Sequence, residues 1–163
     1  MSSKYKLFSL VFGIGLALDL GTKQWARQLL KPRFPDALTV IPRYFELRYS
    51  ENTGSAFGLF RSLAGGRYLL LAVGVAALCA LAYSLIKADP RRARFGAELG
   101  LLGSGTLGNV VDRLAFGRVT DFVVWKVGSH EWPTFNVADA ALVVGLALLL
   151  IEPPLTKPAP QEG

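Results

Sequence analysis

Long apolar runs, broken at a few places by charge, dominate the pattern along this chain. The cleanest covers 68–86, has no charged residue, and is bounded by Arg67 and Lys87. At about 1.5 Å per helical residue it crosses a hydrocarbon core roughly 30 Å thick. Three further runs are apolar but interrupted: about 7–30, holding Asp19, Lys23 and Arg27; about 95–116, with Glu98 early and Asp112 and Arg113 late; and about 135–151, with Asp139 near its start. The pattern predicts an all-α membrane protein of four transmembrane helices, forming one domain over 1–152, with a Pro-rich disordered tail at 153–163. The opening, Lys4 and Lys6 before an apolar stretch at 7–18, resembles a signal peptide. It runs on into Asp19, Lys23 and Trp25 without a small-x-small cleavage site, so it reads as the first span.

Two loops carry patterning of their own. In the loop at about 31–66, alternation of Phe45, Leu47 and Tyr49 predicts a short half-buried strand; Pro42 interrupts it and argues for an edge position. In the loop at about 117–133, Asp121 to Trp125 predicts another strand, and Trp125 and Trp132 suit a membrane-interface belt. These two loops predict a small extracytoplasmic β-containing region, with a loop positioned to cover a site at the helix ends. Lys4 with Lys6, and Lys87 with Arg91, Arg92 and Arg94, flank the spans on one side. The positive-inside tendency makes that side cytoplasmic and places both termini there. Lys31, Arg33, Arg43, Arg48 and Arg61 in the opposite loop weaken a simple count of charges.

Composition sharpens the membrane reading: apolar residues make up 52% of the chain and charged residues 18%, below the usual quarter or so, and mean hydropathy is +0.37. The net charge of +6 sits between apolar runs, where it meets lipid headgroups or sets topology, so no nucleic-acid partner is expected. Cys79, the lone cysteine, cannot form an internal disulfide and reads as a small buried hydrophobe. His130, the lone histidine, lies in a polar loop; a metal site needs more ligands, so neither metal nor cofactor is expected.

Charge inside lipid costs several kcal/mol and is kept mainly for function. Asp19 and Lys23 stand four apart on one helical face; Asn109, Asp112 and Arg113 share a face at spacings of three and four; Asp121 lies just beyond that helix; Asn136 and Asp139 open the last span. Two aspartates from different elements can thus converge at one depth. Such a pair supports peptide hydrolysis: one carboxylate takes a proton from water, while the other, protonated, polarises the scissile carbonyl and assists the leaving amine. Asp121 and Asp139 are the candidates.

Plainer roles stand beside this one. Asp19 with Lys23, and Asp112 with Arg113, read equally as neutralised ion pairs that hold helices together; Asp121 alone is an ordinary loop residue, and Asn136 an N-cap. A proton or ion relay, or a catalytically dead scaffold, would use the same groups. Ser104 between Gly103 and Gly105, with His130, hints at a serine protease, but Gly-Ser-Gly in a helix is more often a packing surface. Gly103, Gly105 and Gly108 form no phosphate loop, since no Lys-Ser/Thr follows.

Several segments, in order, resemble the lipoprotein signal peptidases of bacteria, or signal peptidase II. Asp19-Leu20-Gly21-Thr22-Lys23 is similar to an Asp-x-x-Ser/Thr-Lys motif, and Asn52-Thr53-Gly54-Ser55-Ala56-Phe57 to Asn-Thr-Gly-x-Ala-Phe. Gly108-Asn109-Val110-Val111-Asp112-Arg113 resembles Gly-Asn-x-x-Asp-Arg; Val119 to Phe122 and Phe135 to Asp139 resemble the two catalytic segments. The resemblance spans about 7–151 and implies cleavage of signal peptides from prolipoproteins, just before a cysteine carrying diacylglycerol, in the bacterial inner membrane and near its outer leaflet. It implies Asp121 and Asp139 as catalytic residues; Asn52, Asn109 and Arg113 as contacts of substrate or of the inhibitor globomycin; and Asn136, Gly54, Asp19, Lys23 and Asp112 as supports of the site. Phe57 or Phe60, near the loop tip, would meet acyl chains. Leu20 and Glu51 depart from the family's frequent Gln and Tyr, and Glu51 stands next to Asn52. Membrane lipids are the expected surroundings, and since one bundle can house the whole site, a monomer is expected.

Overall fold

A computed structural model of the chain describes residues 2–54 and 66–151. The expectations for Phe57, Phe60 and the tail at 153–163 fall outside those residues. The chain is mostly helical with one small antiparallel sheet: α1 is Ser3–Leu29, α2 Gly66–Lys87, α3 Ala93–Phe116 and α4 Val137–Leu150. β1 is Leu38–Ile41, β2 Phe45–Asn52, β3 Val119–Val127 and β4 His130–Glu131. By length and composition, Ser3–Arg33 and Tyr68–Lys87 suffice to cross a membrane, while α4 is apolar but shorter.

The helix ends follow from local chemistry. Pro32 lacks an N–H and tightens the chain after α1 into a 3-10 turn at Lys31–Arg33. α3 stops at Gly117, whose φ of 71° is left-handed and whose N–H donates to the Arg113 carbonyl at 3.0 Å. α4 starts at Asn136, which forms a capping box with Asp139.

Helix directions alternate along the bundle. α1 and α3 run parallel in the most extensive helix contact: Gly96 lies against Lys4, Gly100 against Phe8 and Phe12, Gly103 against Phe12, and Gly108 against Asp19. This stripe of small residues is the packing surface expected of Gly103-Ser104-Gly105, and it brings the two backbones close. A Cβ at Gly100 would meet the Phe8 carbonyl oxygen at 3.0 Å and the Phe12 nitrogen at 3.1 Å. α4 runs back along α3, with Gly105 against Ala138 and Gly145 against Leu101 and Leu102. α2 packs on α3 from another side, with Gly74 against Val110.

Burial is inverted relative to a soluble domain. Lys4, Asp19, Lys23, Glu98, Asp112, Asp121 and Asn136 are all within 2% of full burial, whereas Leu10, Ile14, Leu18, Tyr83, Ile86, Val143 and Leu150 are more than half exposed. A bundle bearing its apolar side chains outward and its ionic ones inward suits a lipid surrounding. Cys79 is among the outward residues, so the buried position expected for it is wrong: α2 meets the bundle along one side only, and Cys79 faces away. Lys4, expected as an exposed topological charge, is instead buried and donates to the Leu85 carbonyl at 2.6 Å and to that of Ala88 at the end of α2. It satisfies the carbonyls a helix C-terminus leaves open.

The sheet has order β1-β2-β3-β4 and sits at the end of the bundle where α1 and α3 finish and α4 begins. Where one interrupted strand was expected, there is a hairpin: Pro42 lies in the turn, beside Arg43 at φ 71°, and does not interrupt a strand. β1 is the edge that Pro42 was expected to mark. Tyr49 and Phe122 pack with Ala26 and Leu30 at the end of α1, with Trp25 edge-on to Phe122 at 6.3 Å. This cluster fastens β2 and β3 onto the helices.

A test of the close helix contacts follows from two glycines. Gly105→Ala places a Cβ 2.5 Å from the Ala138 carbonyl oxygen and should cost about 1–3 kcal/mol, lowering the Tm in detergent. Gly13→Ala meets nothing within 4 Å and should leave the Tm unchanged or raise it, by up to about 1 kcal/mol of helix propensity. Equal Tm values for the two variants would mean that α3 and α4 are not in backbone contact.

Candidate active site

Cations at every fourth position organise the end of α1: Lys23, Arg27 and Lys31 continue one helical face into the 3-10 turn. Lys23 reaches α3, Arg27 both α3 and β3, and Lys31 β2. The fully buried Lys23 donates to Asp19 Oδ2 at 2.8 Å within α1 and to Asn109 Oδ1 at 2.9 Å on α3. Asp19 uses its other oxygen, Oδ1, to accept the Ala138 N–H at 2.9 Å, satisfying one of the open donors at the start of α4. The expected Asp19–Lys23 ion pair therefore exists, and its two members also tie α1 to α3 and α4.

Asn109 and Asn136 carry the network on to the two candidate aspartates. Asn109 Nδ2 donates to Asp139 Oδ1 at 2.8 Å. Asn136 caps α4, accepting the Asp139 N–H on its side-chain oxygen at 3.0 Å, while its own N–H donates to Asp139 Oδ2 at 3.2 Å. The cap expected of Asn136 is only half of its role. Its Nδ2 donates to Asp121 Oδ1 at 2.6 Å and to Asn109 Oδ1 at 3.3 Å, so one buried amide touches both aspartates and the residue that Lys23 holds.

Asp121 arrives from the sheet. It lies opposite Ser50 in the β2–β3 register, and Asn52, two residues along, reaches diagonally to donate to Asp121 Oδ2 at 3.0 Å. Asn52 is itself fixed by accepting the Gly54 N–H at 2.8 Å, a turn in which Gly54 takes a φ of 86° that L side chains rarely adopt. Asp121 is 2% exposed. Burial, and then the neighbouring Asp139 carboxyl, push its pKa up to about 6, against the opposing pull of Asn52, Asn136 and Lys23.

Arg113 donates to the Asn109 carbonyl at 3.4 Å, and its charge acts electrostatically on Asp139, Asp121 and Asp112. Asp112 departs from expectation. Its ion pair is with Arg27 at 3.0 Å and not with Arg113, because successive residues on a helix diverge by about 100°. It also accepts the Thr120 N–H at 2.8 Å, and Arg27 donates to the Thr120 hydroxyl at 2.9 Å. The structure thus brings Asp19, Lys23, Asn52, Gly54, Asn109, Arg113, Asp121, Asn136 and Asp139 together, with Asp112 behind them against β3. Sequence reasoning gave Arg27 and Thr120 no role. The available signal was the i, i+4 spacing from Lys23 to Arg27, whose partners 85 and 93 residues away no local pattern reveals.

Glu51, where the family's frequent Tyr is replaced, is bound by Lys31 at 3.4 Å, Arg118 at 2.9 Å and the Tyr49 hydroxyl at 2.8 Å. Burial works against its ionised form, but those three partners hold its carboxyl below the usual value. The alternative serine pair is not assembled: the Ser104 hydroxyl is buried and donates to the Leu101 carbonyl at 2.9 Å, while His130 is exposed on β4.

Comparison with known proteins bears on this arrangement. A family model described as "Signal peptidase (SPase) II" matches residues 11–153. A lipoprotein signal peptidase of Geobacter metallireducens is 35% identical over 154 residues, covering 93% of each chain. One from Xylella fastidiosa is 40% identical over 134 residues, covering 80% of this chain and 77% of its own. Among solved structures, a bacterial membrane enzyme determined at 2.3 Å by the in meso method superposes with a TM-score of 0.80 at 29% identity, over 93% of this chain and 90% of that one. With the family model spanning most of its length, and relatives of more than 30% identity covering it nearly from end to end, this chain belongs to the signal peptidase II family.

Proposed function

We propose that this membrane protein is an aspartic endopeptidase that removes signal peptides from prolipoproteins, cleaving before the diacylglyceryl-modified cysteine with Asp121 and Asp139 as its catalytic pair. The observation that carries the assignment of the pair is the Asn136 side chain, which bonds both carboxyl-bearing residues in a buried network. Residues 1–152 form the peptidase domain, with all four helices spanning the bacterial inner membrane as a monomer. Both termini lie in the cytoplasm and the site lies near the outer leaflet. The alternating helix directions and the outward apolar faces support that topology. Lipid then covers the outward faces, and a lipid-bearing substrate reaches the dyad by moving in the plane of the bilayer.

In the reaction one carboxyl takes a proton from water as its oxygen attacks the scissile carbonyl; the other, protonated, donates to the carbonyl oxygen. Collapse of the tetrahedral intermediate breaks the C–N bond and returns a proton to the cysteine amine, leaving a free carboxyl on the signal peptide. A pKa of about 6 suits Asp121 to the protonated role better than an ordinary carboxyl value would. Asn52 and Asn109, fixed by Gly54 and Lys23, and the Arg113 charge orient the aspartates and the peptide.

Purified protein incubated with a diacylglyceryl-modified prolipoprotein should produce a gel-resolved cleavage that globomycin blocks. Asp121→Asn and Asp139→Asn should each lower kcat by about 100- to 10,000-fold. Cleavage surviving either substitution would remove that residue from the pair, and none by folded wild type would sink the peptidase reading. Asp121 also predicts a pH dependence of stability. Folding raises its pKa from 3.8 to about 6, so its contribution is fully present below about pH 4 and is lost as the pH rises through about 6. Asp121→Asn, which cannot ionise, should therefore gain on the wild type between pH 4 and 7, by an amount on the order of 2–3 kcal/mol. A Tm difference that stays flat over that range would mean that Asp121 is not desolvated.

A further inference from the structure

We infer that Arg27 is a positioning residue for the cleavage reaction, holding Thr120 and thereby the strand that carries Asp121; the inference rests on Asp121 being catalytic. Arg27 lies outside the segments that resemble the family motifs, yet it closes a ring. Its Nη1 donates to Asp112 Oδ1 at 3.0 Å and to Thr120 Oγ1 at 2.9 Å, while Asp112 Oδ2 accepts the Thr120 N–H at 2.8 Å. Three elements meet there: α1 through Arg27, α3 through Asp112 and β3 through Thr120. The guanidinium also lies over the Phe116 ring, 4.4 Å from its centroid, and the Arg27 side chain is 17% exposed.

The place of that ring gives it leverage. Thr120 directly precedes Asp121, and along a strand consecutive side chains point to opposite faces. Arg27 therefore holds the side of β3 facing α1 while Asp121 presents its carboxyl to Asn52 and Asn136 on the other. Those two contacts are amide side chains, which can follow a carboxyl that moves. The β2 ladder and the Phe122 cluster already hold β3 in place; the ring adds a hold at the residue next to Asp121, since it grips both the backbone N–H and the hydroxyl of Thr120. Both bonds of Arg27 come from one nitrogen, Nη1, whose two hydrogens serve two acceptors on different elements. The competing role is simple neutralisation of Asp112, whose carboxylate is fully buried and needs a cation. Neutralisation requires the Arg27–Asp112 bond alone; positioning requires the Thr120 bond as well.

The two roles separate in kcat and KM, measured with the full chain in detergent on a diacylglyceryl-modified prolipoprotein and normalised to folded protein. Thr120→Val keeps the ion pair and the backbone bond but removes the hydroxyl to which Arg27 donates. It should lower kcat about 10- to 100-fold, the scale of a small displacement of a reacting group, with KM and Tm close to wild type. Arg27→Met should lower kcat at least as far, and Arg27→Lys should recover part of it. Arg27→Met combined with Asp112→Asn restores charge balance without the ring, and its kcat should stay low. Wild-type kcat in Thr120→Val, or recovery in the double variant, would overturn the inference and leave Arg27 as a counter-charge. Should Arg27→Met fail to fold, Thr120→Val decides alone. No cleavage by the wild type would overturn the peptidase reading, and this inference with it.

Discussion

Asp19 and Lys23 are 1% and 0% exposed, and each makes one bond to the other and one beyond the pair. Among apolar helices in a low-dielectric surrounding, neither charge could persist alone: removing one partner of a buried pair costs about 3–5 kcal/mol because the other is left uncompensated. The same requirement dictates what the remaining donors and acceptors do. Lys23 takes the Asn109 oxygen, which turns the Asn109 amide toward Asp139; Asp19 takes the Ala138 N–H, which fixes the first turn of α4 where Asp139 stands. Charge neutrality on α1 thus places a side chain on α3 and a helix terminus on α4.

Short side chains can serve this network only if the backbones approach closely, and that is the part played by the glycines of α3. Gly108 lies against the Asp19 carboxylate and Gly105 against the Ala138 carbonyl, leaving no room for a Cβ at either. With larger residues there, Asp19 would not reach α4, nor Lys23 reach Asn109. In a bilayer there is little hydrophobic force between helices, so close packing and interhelical hydrogen bonds carry the association. Here the two occur on the same face of α3.

The sheet completes the site from outside the bundle. The proposed dyad joins a strand residue to a helix residue, and Asn136 joins the two by capping α4 and donating to Asp121 with one amide. Behind β3, Arg27 and Asp112 hold Thr120, and beside it Lys31 and Arg118 hold Glu51 on β2. The cations of α1 and of the turn after it therefore reach α3 from Lys23, α3 and β3 from Arg27, and β2 from Lys31. Such a site, where helices end and a sheet begins, suits a substrate with its lipid in the bilayer and its peptide at the surface.

Apolar run lengths in the chain determined the helices to within a few residues, because a backbone among apolar surroundings must satisfy its own polar groups, which a helix does. It also exposed the ionic residues inside those runs, and their order along the chain carried the family resemblance. Pairings were a different matter. Asp112 next to Arg113 looked like an ion pair on paper, but folding gave Asp112 to Arg27, 85 residues away. Lys4 looked like a surface charge and proved to close the end of α2. Pro42 looked like a break in one strand and lies in the turn between two. Sequence alone determined which groups are too costly to leave unpaired in an apolar surrounding. Only the tertiary structure decided which partner each one takes, because hydrogen bonds depend on distances that close helix packing sets and that spacing along the chain does not encode.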